Sequence, residues 1–291
     1  MTPRRALVSL LALLAGFGCS DSSEPSNAVP RALYYIAWDD TPQLYGITLD
    51  GSSGIPLLSD SLRAEIWLLY WMPPVVSPDG ATIQVAVSRT GGYALLNLDR
   101  FGTVTSVEPY HSSEGLSPDG MRRAWFADGY LNLAHADGTG LQRTYFDSLG
   151  VFSYDVAWSR DGKWLAYSKG LRDDFDVNVV RDTRLWILRL SDGFKRPVTS
   201  AGHGGSELAW SRDGKWLTFR SGTGINRVRT DGTGPEQTVF IGVAESHAWS
   251  PGDSLIGFVG SSSGLTTIRA DGSGARKVAE GQSVTTFAWA E

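Results

Sequence analysis

Acidic and amide side chains alternate along the segment 171–182, LRDDFDVNVVRD, and this spacing is the first candidate for metal chemistry. Asp174, Asp176 and Asn178 occupy alternate positions, as the first ligands of a calcium-binding loop do. Val179, however, stands where such a loop needs its turn glycine. The pattern therefore predicts a solvated acidic loop, and we assign it neither a metal nor a cofactor.

Two short strings match fragments of hydrolase motifs. Residues 252–255 read GDSL, the tetrapeptide of one hydrolase class, but no D-x-x-H follows near the C-terminus to complete a triad. Residues 203–205 read His-Gly-Gly, which is similar to the oxyanion-hole glycines of lipases, yet no nucleophile elbow accompanies them. We therefore predict no catalytic residues, and an enzyme is the less favoured class.

Composition excludes several other classes of function. The 26 Lys and Arg against 31 Asp and Glu give a net charge of −5, so no basic surface is available for a nucleic-acid backbone. The single cysteine excludes an intrachain disulfide and every multi-cysteine zinc site. The 34 glycines and 11 tryptophans favour many tight turns between short aromatic strands.

A four-residue turn recurs along the chain with its serines spaced by 40, 42, 52 and 39 residues. The copies are SPDG at 77–80, SPDG at 117–120, SRDG at 159–162, SRDG at 211–214 and the variant SPGD at 250–253. A second Asp-Gly turn falls between these copies, at 49–54, 98–102, 136–140, 191–194, 230–234 and 270–274. Asp can accept a backbone hydrogen bond and Gly supplies the positive φ, so both units predict hairpin turns.

Four short strands in each repeat of about 43 residues are typical of a β-propeller blade. Residues 32–291 contain 260 residues, enough for six such blades. The chain enters at 33–38 with a second strand and ends at 286–289 with a first strand. We therefore predict an all-β, six-bladed propeller of four antiparallel strands per blade, closed by the C-terminal strand joining the N-terminal blade. No segment shows sustained helical periodicity.

The repeats AWSRDGKWLAYSKG at 157–170 and AWSRDGKWLTFRSG at 209–222 resemble the WD-like repeats of the TolB-like six-bladed propellers. The resemblance covers residues 32–291 and implies a fold more than an activity. The tryptophans of the first strands are predicted to fill the wedges between blades, in preference to stacking on carbohydrate; they are Trp158, Trp210, Trp249 and Trp289.

Propeller geometry places certain blade connections on one rim, and irregular loops on a rigid scaffold often carry binding. The candidate rim residues are His111, His203, Asp173, Asp174 and Asp176, with Asp39, Asp40 and Asp128 expected around the same mouth of the channel. A plain polar rim is the alternative interpretation of the histidines.

The N-terminus reads as an export signal. Arg4 and Arg5 precede the apolar run 6–15, which is too short to span a bilayer, and Cys19 follows. This resembles a bacterial lipoprotein signal, although Gly16 stands where that family usually has Leu. We predict three parts: a signal peptide at 1–18, a lipidated cysteine with a flexible tether at 19–31, and the propeller at 32–291. The alternative is an ordinary secretory signal in which the cysteine is incidental.

These features predict a non-enzymatic, monomeric lipoprotein of the cell envelope, exported and held at the membrane through its lipid anchor only. Its expected partner is an envelope protein or peptide, not a nucleic acid. The alternative is a propeller that binds an envelope glycan or small molecule at its channel mouth, with or without catalysis.

Overall fold

The chain folds into six antiparallel sheets arranged as the blades of a ring, which confirms the predicted all-β six-bladed propeller. A computed structural model describes residues 33–39, 41–47, 54–68, 73–77, 80–89, 92–109, 115–127, 130–136, 138–145, 150–172, 180–222, 224–260, 264–279 and 283–290.

Twenty-four strands and one short helix make up the described part of the chain. In chain order they are β1 (Leu33–Asp39), β2 (Thr41–Ile47), β3 (Ile55–Pro56), α1 (Asp60–Glu65), β4 (Ile66–Leu68), β5 (Val75–Val76), β6 (Thr82–Arg89), β7 (Gly92–Asp99), β8 (Val104–Pro109), β9 (Arg122–Ala127), β10 (Tyr130–His135), β11 (Gln142–Tyr145), β12 (Gly150–Trp158), β13 (Trp164–Arg172), β14 (Val180–Arg189), β15 (Lys195–Pro197), β16 (Ser206–Trp210), β17 (Trp216–Ser221), β18 (Gly224–Arg229), β19 (Gln237–Ile241), β20 (Ala244–Trp249), β21 (Leu255–Gly260), β22 (Leu265–Arg269), β23 (Arg276–Ala279) and β24 (Ser283–Trp289).

In every blade except the first, the strands follow chain order from the innermost strand outwards. Blade 1 is β24-β1-β2-β3, and blades 4, 5 and 6 are β12 to β15, β16 to β19 and β20 to β23. In blade 2 both β4 and β5 pair with β6, ahead of β7 and β8. In blade 3, β9, β10 and β11 follow an isolated bridge between Leu116 and Arg123. The first strands of neighbouring blades contact one another, as expected of strands around a central channel.

The alternation of strands gives the ring two faces. The turn face carries the Ser-x-Asp-Gly and Asp-Gly turns, which join the first strand to the second and the third to the fourth. The loop face carries the connections between second and third strands and those from one blade to the next. Both kinds of turn are therefore hairpin turns, as predicted, and they share one face of the ring.

Pairing between the two ends of the described chain closes the ring. Leu33 lies opposite Trp289 in the antiparallel pairing of β1 with β24. The Thr285 hydroxyl also donates to the Ile36 carbonyl across 3.1 Å. The C-terminal strand thus completes blade 1, as predicted, and the closed ring leaves no open edge between the first and last blades.

The Ser-x-Asp-Gly turn is held by its own side chains. In the copy at 211–214, the Ser211 hydroxyl donates to Asp213 across 2.8 Å and accepts the Trp216 N–H across 2.9 Å. Gly214 has a φ of 70°, and its N–H donates to the Ser211 carbonyl across 3.0 Å. The repeated serine is therefore a turn residue, and its repetition reflects folding.

The tryptophans of the innermost strands join neighbouring blades. Each places its ring at a blade interface and donates its Nε1–H to the preceding blade. The acceptors are the Gly115 carbonyl for Trp158 (2.7 Å), the Ala157 carbonyl for Trp210 (3.0 Å), the Thr218 hydroxyl for Trp249 (2.9 Å) and the Ala248 carbonyl for Trp289 (3.1 Å). The hydrophobic core is correspondingly divided into clusters between blades.

Helix α1 departs from the all-strand expectation. It lies in the connection between blades 1 and 2, and the Ser59 hydroxyl caps it by accepting the Leu62 N–H across 3.3 Å. Six residues are too few to show a hydrophobic periodicity, so the capping serine was the available signal. No helix in the described ranges is long and apolar enough to cross a membrane.

Candidate functional site

Of the predicted site residues, the structure describes His203 and, at the end of β1, the backbone of Asp39. Cys19, His111, Asp173, Asp174 and Asp176 lie outside the described residues, as do Asp40 and Asp128. The lipidation site and most of the candidate rim therefore stay predictions.

His203 lies in the connection from β15 to β16. Its Nδ1 is 2.9 Å from Glu236 Oε2, and the imidazole is about half exposed. Glu236 directly precedes β19, the outermost strand of blade 5. The structure thus joins His203 to a carboxylate at the outer part of the seam between blades 4 and 5, a pairing that no pattern in the sequence indicated.

The glycines that follow His203 serve close packing. A Cβ on Gly205 would lie 2.4 Å from the Arg220 carbonyl oxygen, and one on Gly204 would lie 2.6 Å from the Thr183 Cβ. Both positions therefore need glycine for backbone approach.

The aspartate of the GDSL string has a structural role at the next interface. Asp253 has a φ of 55°, the conformation that glycine adopts in the other copies of the turn. Its carboxylate accepts the N–H of Arg212 across 2.6 Å and the N–H of Asp213 across 2.8 Å. The exchange of Gly and Asp in this copy thus links the turn of blade 6 to the turn of blade 5.

A groove of about 530 Å³ opens on the loop face, where blades 4, 5 and 6 meet. Its volume is within the range of small-ligand sites, about 300–1,000 Å³. Hydroxyl and glycine residues form most of its wall, with one guanidinium; the described lining is Ser168, Thr183, Gly204, Gly205, Ser206, Arg220, Ser221, Gly222, Gly242, Val243 and Ala244. We call it the Arg220 groove.

Arg220 is the one charged residue in that described lining. Its Nη1 donates to the Ala244 carbonyl across 3.3 Å, and its Nη2 reaches the Ser206 hydroxyl at 3.5 Å. Both are long contacts, and no carboxylate in the described ranges forms an ion pair with it. The five N–H donors of a guanidinium are therefore incompletely used, which leaves capacity for an anion.

His247 lies close to Arg220 in the interface between blades 5 and 6. It is 8% exposed, and neither ring nitrogen makes a hydrogen bond of normal geometry within the described structure. Burial lowers its pKa from 6.5 to about 4; a backbone group of Thr218 opposes this change, and the positive charge of Arg220 adds to it. His247 is therefore neutral at pH 7 and adds no charge beside the groove.

Exposed aromatic side chains form a second feature of the loop face. Trp38, at the end of β1, contacts Trp67 of β4 edge to face, with ring centroids 5.7 Å apart. Trp67 pairs with Ser88, which pairs with Tyr93, so Trp67, Ser88 and Tyr93 lie in one row across blade 2. Trp38 is 40%, Trp67 44% and Tyr93 59% exposed. We call Trp38, Trp67 and Tyr93 the aromatic patch.

A cleft of about 310 Å³ on the turn face, between blades 4 and 5, contains three carboxylates. All three are engaged by their own turns: Asp161 by Ser159, Asp213 by Ser211 and Asp231 by Thr233. The pKa of Asp231 is held below its usual value by hydrogen bonds from Arg229 and then from Thr233. No group of three or more ligand-type residues suited to a metal ion occurs within the described ranges.

Sequence reasoning missed both the Arg220 groove and the aromatic patch. A signal for Arg220 existed, because the copy at 157–170 has Ser168 where the copy at 209–222 has Arg220. This departure lies at the loop-face end of a strand, where substitution need not disturb the core. The tryptophans of the patch gave no such signal, since the chain has 11 and most of the described ones are buried or half-buried.

No family model and no curated protein matches the chain. Solved structures do. TolB from Acinetobacter baumannii is similar with a TM-score of 0.63 and 19% identity, over 89% of this chain and 66% of that one. The fold is that of the TolB propeller. The putative TolB from Agrobacterium tumefaciens is similar with a TM-score of 0.52 and 16% identity, over 86% of this chain and 89% of that one.

These identities establish a common fold alone. The chain spans 66% of the length of the Acinetobacter TolB structure, which is therefore the longer chain. The TolB-like resemblance predicted from the repeats is confirmed at the level of the six-bladed fold.

Proposed function

We propose that this chain is a non-enzymatic, lipid-anchored propeller of the cell envelope that binds a protein partner through its loop face. The observation that carries the proposal is the aromatic patch, in which Trp38 and Trp67 contact edge to face and Tyr93 is exposed in the same row of blade 2 as Trp67. Trp, Tyr and Arg are enriched among the residues that contribute most to protein interfaces. The TolB-like fold is consistent with an interaction scaffold.

The envelope location rests on the N-terminal sequence. Arg4 and Arg5, the apolar run 6–15 and Cys19 supply the elements of an exported lipoprotein. A closed propeller ring is complete in itself, so we propose a monomer. Replacing Cys19 by Ser should move the protein from the membrane fraction to the soluble envelope fraction, and unchanged membrane association would contradict the lipid anchor.

Photocrosslinking in intact cells tests the partner proposal. A photoreactive phenylalanine is placed at Tyr93 or Ile241 on the loop face, which are 59% and 81% exposed. The matched controls are Met121 and Leu141 on the turn face, which are 70% and 52% exposed. We expect one defined protein adduct from a loop-face position and none from the controls. Equal adducts from both faces, or none from either, would contradict a loop-face partner.

A second candidate function is supported by the Arg220 groove: a binder or enzyme for an envelope glycan or small molecule. The predicted rim residues His111, His203, Asp173, Asp174 and Asp176 would then contact the ligand. Glycan-array binding that is lost when these five side chains are replaced would support this function. Binding that survives their replacement would refute their role.

A further inference from the structure

We propose that the Arg220 groove binds a carboxylate of an acidic peptide segment that carries apolar side chains beside the acid. This inference rests on the proposed function, since the segment would belong to the protein partner. An acidic peptide is then the ligand of the groove, and Arg220 recognises its charge.

The Arg220 guanidinium has hydrogen-bond donors that the described part of the chain uses incompletely. Arg220 lines the groove with two long contacts, to Ala244 and Ser206, and with no carboxylate partner in the described part of the chain. A guanidinium presents donors in a planar fork that matches a carboxylate in two parallel hydrogen bonds. An incoming carboxylate would therefore gain bonds that the folded chain leaves unmade.

The wall of the groove consists mostly of hydroxyl residues and glycines. Its described lining contains the hydroxyls of Ser168, Thr183, Ser206 and Ser221 and no acidic side chain, so Arg220 sets the charge of that lining. Of the four glycines in this lining, three have the space beyond their Cα filled by neighbouring atoms, and Gly222 is the open one. At Gly222 a Cβ would meet nothing within 4 Å, so the groove is open at this position.

Apolar side chains beside the groove favour a peptide over a sugar acid. Val243 lines the groove and is 62% exposed, and Ile241, two residues earlier, is 81% exposed. Such exposed branched side chains gain from contact with apolar groups, which a peptide offers and a uronic acid lacks. The occupant thus combines one carboxylate with neighbouring apolar side chains.

Binding of synthetic peptides to the whole propeller tests the assignment. The probes are acetyl-Leu-Glu-Leu-amide and acetyl-Leu-Gln-Leu-amide, which differ only in the charge, together with galacturonate as a sugar acid. Calorimetric or NMR titration at low salt measures each affinity. We expect the Glu peptide to bind at least about tenfold more tightly than the Gln peptide, because hydrogen bonds to a charged group are the stronger kind.

Two variants separate recognition from folding. Arg220→Gln removes the charge and should abolish the preference for Glu over Gln, whereas Arg220→Lys should retain part of it. Gly222→Phe should block the groove without touching Arg220, since the position is open and its φ is not in the left-handed region. Gly252→Phe, at an equally open position on the turn face, is the matched control and should bind as the wild type does.

The outcomes are distinct for the two proposals. Equal affinity for the Glu and Gln peptides, or full binding by the folded Arg220→Gln and Gly222→Phe variants, would overturn the carboxylate site. Binding of galacturonate but of neither peptide would replace the peptide by a sugar acid and overturn the proposed ligand class. If the photocrosslinked adduct persists while the peptide preference is absent, the partner proposal stands and this inference fails.

Discussion

The buried imidazole of His247 should make the stability of the protein depend on pH. Its folded pKa of about 4 lies below the ordinary 6.5, so the unfolded chain binds more protons between these pH values. Stability should therefore fall as the pH drops from 6.5 towards 4. At about 1.4 kcal/mol for each tenfold change in proton affinity, the loss is about 3 kcal/mol.

We expect His247→Phe to remove most of this pH dependence. Urea unfolding at pH 7 and pH 4.5 measures it, a range in which the low-pKa turn aspartates stay ionised. His135→Gln is the control, because His135 is exposed and its Nδ1 lies 3.1 Å from the Thr139 hydroxyl of its own turn. Identical pH dependence in wild type and His247→Phe would contradict the assignment.

Asp253 should stabilise the contact between the turns of blades 5 and 6. Its carboxylate accepts two N–H groups of the neighbouring turn, at Arg212 and Asp213. Asp253→Asn keeps a residue that tolerates a φ of 55° but can accept fewer of these bonds. We expect the free energy of unfolding to fall by about 1 kcal/mol.

The control for that change is Asp60→Asn, which removes a charge from a side chain that is 99% exposed. Denaturant titration should show little change for the control. Equal values for the two variants would mean that the contact between the turns contributes no stability.

In the Ser-x-Asp-Gly turn, the serine and aspartate side chains are joined by a hydrogen bond. The Ser117 hydroxyl donates to Asp119 and accepts the Arg122 N–H across 2.9 Å. The hydrogen bond from Ser117, followed by the one from the Met121 N–H, lowers the pKa of Asp119 from 3.8. The stability linked to this carboxylate is present above pH 3.8 and is lost as the pH falls through the lowered pKa.

Ser117→Ala should raise the pKa of Asp119 and lower the free energy of unfolding by about 1 kcal/mol, since the part-buried hydrogen bond from the Arg122 N–H is lost. NMR titration of the carboxyl and denaturant unfolding measure the two effects. Ser254→Ala, at an exposed position of the turn in blade 6, is the control. An unchanged carboxyl pKa in Ser117→Ala would refute the coupling.

Closure of the whole ring depends on β24, which pairs with β1. Deleting residues 285–291 removes the pairing of residues 286–289 with β1 and the buried rings of Phe287 and Trp289. Losing one such ring costs about 3–5 kcal/mol, which is comparable with the 5–15 kcal/mol of a typical domain. We expect the truncated protein to unfold at a much lower temperature or to fail to fold.

Deleting residues 20–30, the predicted tether, is the control and should leave the melting temperature nearly unchanged. Calorimetry compares the two truncations. Equal melting temperatures would show that ring closure does not stabilise the propeller.

The architecture follows from the order of the residues in the chain. Asp and Gly at regular spacing dictate hairpin turns, and Trp158, Trp210 and Trp249 directly precede three of those turns because each ring fills a blade interface. These are local rules repeated in each blade, so one chain displays them several times. The six-bladed, end-closed ring could therefore be predicted from the order of the residues alone.

Which side chains meet on the loop face depends on how the blades pack against one another. Trp38 and Trp67 belong to different blades, and Arg220 opens into a groove whose lining comes from three blades. Asp253 likewise exchanges a turn glycine for a contact with the blade before it. Such juxtapositions depend on how blades pack around the ring, and no local pattern in the sequence encodes the distance between them.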